Sequence, residues 1–172
     1  SPLTVGLALI FGLLLIPFGG LRPDNPSSHP LNPPSWSLFA EYIANIVYGL
    51  VCRRLSTPVL GVLIGASGLI EACLIVLHGT VQGGNYFEAW PLGVMRVAFP
   101  FFAGVGLYRL WRTGRFERLK APFLTLALAL VVVFAAPKTG LLDAVAVFLI
   151  FPLLIAAGTH DISQGSLRIV AI

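Results

Sequence analysis

The sequence is short of charge. Asp, Glu, Lys and Arg make up 10% of its 172 residues, where a soluble domain carries roughly a quarter. With 57% hydrophobic residues and a mean hydropathy of +0.91, it has too little polar surface to coat a water-soluble globule. Most of the chain is expected in lipid. Cysteine is nearly absent: Cys52 and Cys73 lie in or at the end of apolar runs. That excludes a disulfide framework and leaves each as a buried small hydrophobe. Histidine is equally sparse. His29, His78 and His160 have no second histidine or cysteine at ligand spacing, so no metal site is expected. His160 and Asp161 are adjacent and would point apart on a helix. Also missing are a phosphate-cradling glycine loop and a Gly-x-Ser-x-Gly nucleophile elbow.

What is present is apolar sequence in six runs, at 3–18, 36–52, 58–78, 91–110, 122–136 and 140–157. A bilayer core of about 30 Å needs roughly 20 helical residues, which suits 36–52 with its flanks, 58–78 and 91–110. The last two runs are short, but the turn Pro137-Lys138-Thr139-Gly140 between them makes a helical hairpin whose polar flanks lengthen each span. Stretches such as LALALVVVFAA do not alternate as barrel strands do. The expected fold is therefore all-α, a polytopic transmembrane bundle of about six spans within one domain, 1–172. The chain begins almost inside an apolar run and stops at SLRIVAI, where a seventh helix is starting. An internal piece of a larger membrane protein is expected.

Basic residues set the orientation. Arg53 and Arg54 follow the second run, and RLWRTGRFERLKAP after the fourth holds Arg109, Arg112, Arg115, Arg118 and Lys120 against Glu117 alone. The other connecting loops carry only Arg22 and Lys138, with Asp24 and Glu88 among them. By the positive-inside rule, loops 53–57 and 109–121 are cytoplasmic, and 19–35, 79–90 and 137–140 are extracytoplasmic. The basic run is short and flanked by spans, so topology accounts for it and no nucleic-acid partner is expected. Membrane lipid is.

The loop LRPDNPSSHPLNPPSWS has five prolines in seventeen residues, which excludes helix and favours extended or turn geometry. It forms an outer cap ending where Ser35 or Ser37 can serve as an N-cap, with Trp36 at the water–lipid boundary. Beyond it Ser37, Glu41, Asn45 and Tyr48 are spaced four, four and three, so they stack along one helical face. A carboxylate facing lipid costs a few kcal/mol. The stripe is therefore expected to look into the bundle or a wet cavity, either as part of a site or as helix–helix glue. Arg96 sits among Met, Val and Phe well inside its run and needs a carboxylate or an anionic ligand; by depth Glu41 is the nearest candidate. Glu71 and Asp143 read as interhelical or interfacial, and Gly61 and Gly65 as close helix packing.

LNPPSWSLFAEYIANIVY resembles the Trp-Ser-Leu-x-x-Glu segment of the integral-membrane acyltransferase 3 family, the polysaccharide and lipopolysaccharide O-acetylases. RVAFPFFAGVGLYRL is similar to that family's arginine-bearing helix, with matching order and a roughly fifty-residue separation. The resemblance implies a fragment of a roughly ten-helix domain in the bacterial cytoplasmic (inner) membrane. It implies transfer of an acyl group, usually acetyl, from acetyl-CoA to a hydroxyl of a cell-surface or lipid-linked glycan. The acyl-CoA is then a donor substrate, and no bound cofactor is expected. Carried over, Trp36, Ser37 and Glu41 belong to the first motif, and Arg96, Phe102, Gly104 and Arg109 to the second. Glu41 and Arg96 are the catalytic candidates, and Trp36, Ser37, Asn45, Tyr48 and Arg109 the substrate-binding ones.

Acyl transfer to a hydroxyl needs a general base and oxyanion donors. The resemblance implies that the family's histidine belongs to a helix upstream of this chain, and none of the three histidines here falls in the polar stripe. The chain is expected to supply the acceptor-side wall and to be inactive alone. Glu41 would orient the absent histidine or hydrogen-bond the sugar, and Arg109, Arg112 and Arg115 could hold coenzyme A phosphates. A transporter or flippase of lipid-linked glycan stays open as an alternative, as does a structural membrane subunit.

Overall fold

A computed structural model describes residues 1–19, 27–79, 85–116, 119, 121–137 and 139–159. Within them the chain is helical, with no strand beyond a single bridge between Ser27 and Tyr86. The helices are α1 (Pro2–Leu13), α2 (Ser35–Val51), α3 (Thr57–His78), α4 (Trp90–Arg112) and α5 (Phe123–Ala135). The last, α6, spans Gly140–Thr159 and passes through a π-helical turn at Ala146–Ile150. Three of them are long and apolar enough to cross a bilayer: α3, α4 with the 3₁₀ turn Phe87–Ala89 before it, and α6. At 12, 17 and 13 residues, α1, α2 and α5 fall short of the roughly 20 a span needs.

The first run is cut short by its own C-cap. Leu15 adopts a left-handed φ of 56°, its amide donates to Gly12 O at 3.2 Å, and the Ile16 amide donates to Phe11 O at 2.8 Å. That is a Schellman ending with leucine in the place glycine usually takes, followed by Pro17, which cannot continue the helix. Leucine there costs on the order of 1 kcal/mol. At α2 the expected serine N-cap does not form. Pro34 occupies the cap position without a side-chain bond, and the Ser37 hydroxyl donates to the Pro34 carbonyl at 3.1 Å. Ser35 is instead the first, buried residue of the helix.

The chain divides into two compact units. The first comprises residues 1–71 and 82–101. Its interior takes Ala8, Ala40, Leu60 and Phe99 together with buried Ser67, Glu71 and Arg96. The second comprises 72–81 and 102–172. There α5 and α6 form the expected hairpin: the rings of Phe134 and Phe151 lie 6.3 Å apart, and Leu126 reaches the opposite end of α6 beside Gly158. These contacts run in opposite senses along the two helices, so the pair is antiparallel. Thr139 caps α6 by accepting from the Leu142 amide at 3.3 Å, and Asp143 in the first turn complements the helix dipole. Gly140 also passes close to the end of α3: a Cβ on it would stand 3.0 Å from the Gly79 carbonyl oxygen.

The cysteines differ from expectation. Both are free, with Cys73 exposed and Cys52 half-buried. His160-Asp161, the start of the seventh helix at SLRIVAI, and Arg118 and Lys120 of the basic run lie outside the described residues.

Candidate functional site

On α2 the inward face is set by small residues. Ala40 is buried and Trp36, Ile43 and Ala44 are half-buried, a stripe at i, i+4 and i+7/i+8. The polar stripe lies beside it, turned outward. Ser37 and Tyr48 sit half-buried at its margin, whereas Glu41 and Asn45 are exposed at the surface of the described residues. Asn45 Nδ2 donates to the Glu41 backbone carbonyl at 2.9 Å, and Tyr48 packs edge-on against Phe101 at 5.8 Å. The four residues therefore do not form one inward ribbon. The periodicity locates them on one side of the helix, but alanines permit the closer approach and take the packed side.

Nor is Glu41 the carboxylate beside Arg96. That place belongs to Glu71, on whose charge the Arg96 guanidinium acts directly. Glu71 is 3% exposed and Arg96 5%. They come from facing stripes of two spanning-length helices: Leu60, Ser67 and Glu71 on α3, and Gly93, Arg96 and Phe99 on α4. Ser67, one turn before Glu71, turns its hydroxyl back to the Leu63 carbonyl at 2.6 Å. The Oε2 atom of Glu71 is buried with no hydrogen-bond partner. Pro100 lies four residues past Arg96 and has no N–H to offer its carbonyl, yet α4 continues through it unbroken to Arg112. Of the remaining residues of the second motif, Phe102 is buried, Gly104 exposed and Arg109 half-buried.

The residue that spacing did not single out is His29. It is 4% exposed, and its neighbour Ser28 is fully buried at 0%. The His29 Nε2 lies 3.0 Å from the Leu15 carbonyl oxygen, which can only accept, so Nε2 carries a proton. Its Nδ1 lies 3.1 Å from Ser28 Oγ, and that hydroxyl also lies 3.0 Å from the Asn85 carbonyl, to which it donates. The Ser28 amide donates to the same carbonyl at 2.8 Å. The imidazole ring sits 6.1 Å from Phe39, which packs edge-on against Trp90 at 5.7 Å. One short segment thus ties the end of α1, the start of α2 and the approach to α4.

Beside it is a cavity of about 330 Å³. Leu9, Leu13 and Ile16 make an apolar wall, and Ser28, His29 and Ser35 a polar one. Trp36 and Ser37 follow directly on that polar wall in the chain. The arrangement can orient a hydroxyl-bearing molecule at the head of α2. With Nε2 donating to Leu15 and the Ser28 hydroxyl proton committed to Asn85, Nδ1 of a neutral His29 keeps its lone pair beside Ser28 Oγ. Among the described residues no group of three or more His, Cys, Asp or Glu could hold a metal ion. Compared with known protein families, curated proteins and solved structures, the chain matches none.

Proposed function

We propose that this chain forms part of an integral-membrane O-acyltransferase, moving an acyl group, acetyl in the simplest case, from acyl-CoA to a hydroxyl of a cell-surface or lipid-linked glycan. The observation that carries the reading is the ordered pair of motifs, Trp36-Ser37-Leu38 with Glu41, and Arg96 with Gly104 and Arg109. They occur in a chain whose described residues are helical with three spanning-length apolar helices. In this reading the chain contributes about six spans of a larger bundle in a bacterial inner membrane, with loops 53–57 and 109–121 cytoplasmic.

In this reading the motifs have separate tasks. The head of α2 supplies the acceptor side, where Trp36 and Ser37 follow Ser35 of the cavity wall in the chain. Arg96, buried near the Glu71 carboxylate between α3 and α4, acts in this reading as a positioning residue. Glu41 and Asn45 face outward from the described residues and present a carboxylate and an amide to whatever packs on that side of α2. The base that takes the acceptor proton lies elsewhere in the full enzyme.

The test is transfer by the full-length protein in proteoliposomes, supplied with radiolabelled acetyl-CoA and a lipid-linked glycan. Label in the glycan with release of free coenzyme A supports the reading. Glycan crossing the bilayer with acetyl-CoA intact refutes it.

A further inference from the structure

Within the second unit, the C-terminal ends of α4 and α6 enclose a cavity of about 520 Å³. Its walls are Gly104, Leu107, Tyr108 and Trp111 of α4, Phe116 in the turn that follows, and Ile155 and Thr159 of α6. The four α4 positions fall at i, i+3, i+4 and i+7, one face of the helix. Gly104, lacking a side chain, leaves the inner end open: a Cβ there would meet nothing within 4 Å. Thr159 spends its hydroxyl on the Ala156 carbonyl at 2.8 Å, so it adds no free donor to the wall. The lining is carbon, and two aromatic rings, Tyr108 and Trp111, stand together at 5.8 Å.

Tyr108, Trp111 and Ile155 are also exposed. The cavity therefore opens sideways, from two helices whose length and composition suit a bilayer, onto the medium that surrounds them. What surrounds an apolar helix in a membrane is acyl chain. Where the helix ends, the sequence turns basic: residues 104–117 contain Arg109, Arg112 and Arg115 against Glu117 alone. Arg112, the last residue of α4, lies four positions past Tyr108 on the same face, Arg115 follows in the turn that carries Phe116, and both are exposed. Arginines just beyond a spanning helix attract anionic headgroups, and the guanidinium fork matches a phosphate in two places.

We propose that this cavity is a binding site for an anionic phospholipid of the surrounding leaflet. One acyl chain lies between α4 and α6 against Leu107, Trp111 and Ile155, and the phosphate is held by Arg112 and Arg115. The site lies apart from the head of α2, but it competes with the acyltransferase reading for Arg112 and Arg115, which that reading offers to coenzyme A phosphates.

The test uses full-length protein, stripped of lipid in detergent and titrated with phosphatidylglycerol or with phosphatidylcholine of the same chains, with bound lipid read by native mass spectrometry. One phosphatidylglycerol should be retained at least tenfold more tightly than phosphatidylcholine. Arg112→Gln with Arg115→Gln, both at exposed positions, should abolish that preference while leaving thermal unfolding unchanged. Ile155→Trp, which fills the cavity, should reduce retention of both lipids. Equal retention of the two lipids by the unaltered protein overturns the proposal, as does an undiminished preference in the double arginine variant. A third arm adds palmitoyl-CoA: if it displaces phosphatidylglycerol at a lower concentration than phosphatidylglycerol itself requires, the occupant is the soluble anion and the lipid assignment fails.

Discussion

The Nε2 of His29 lies 3.0 Å from the carbonyl oxygen of Leu15, the residue whose left-handed backbone ends α1. A strained turn and a buried imidazole hold each other: the turn aims the carbonyl, and the ring supplies the proton it accepts. Fourteen residues separate the partners, so this contact fastens the proline loop to α1 before α2 begins.

Replacing His29 by Phe keeps the ring volume and removes both polar edges. The Leu15 carbonyl then loses its donor in a buried setting, at a cost of about 1–3 kcal/mol. Thermal unfolding of the full-length protein in detergent should show a lower midpoint, and limited proteolysis should cut the 27–34 segment sooner. A midpoint matching the unaltered protein would mean that water or lipid replaces the bond without loss.

Glu71 and Arg96 should behave as one unit. Truncating either alone to Ala leaves a buried charge unanswered and should destabilise by about 3–5 kcal/mol. Glu71→Leu with Arg96→Met should recover much of that, since the pair is replaced by apolar volume. Strict additivity of the two single truncations in a double-mutant cycle would show that the residues do not share their energy.

The approach of α6 to the end of α3 is a backbone contact. Gly140→Ala would place a Cβ 3.0 Å from the Gly79 carbonyl oxygen and 3.1 Å from its carbon, and neither atom can swing aside. Gly79→Ala would force an L-residue to a φ of +67°. Each should destabilise by roughly 1 kcal/mol or more, read as a loss of unfolding midpoint. Gly61→Ala, with open space around its Cβ position, is the control and should be neutral or slightly stabilising.

Much of the helical frame is legible in the sequence because its cause is local. Continuous apolar runs of spanning length at 58–78 and 91–110 have one low-energy answer in lipid, and the Pro137–Gly140 turn leaves α5 and α6 no choice but to double back. Which side of α2 packs is not local. It depends on Ala40 and Ala44 admitting a neighbour, and a polar stripe at the same period reads equally well as inward or outward. Arg96 announces its need for a carboxylate, but depth alone cannot choose between Glu41 and Glu71; helix rotation does. His29 carries no spacing signal at all, since its partners are Leu15 and, through Ser28, Asn85, fifty-seven residues from that serine.

The central claim is that the Trp36–Glu41 segment serves acyl transfer rather than the integrity of the fold, and Glu41→Gln in the full-length protein tests it most directly. Glutamine keeps the volume of the side chain, so the unfolding midpoint should change little and expression should be normal. Transfer of radiolabelled acetyl from acetyl-CoA to glycan in proteoliposomes should fall to background. Full transfer by the variant, or a loss explained by failure to fold, would contradict the account.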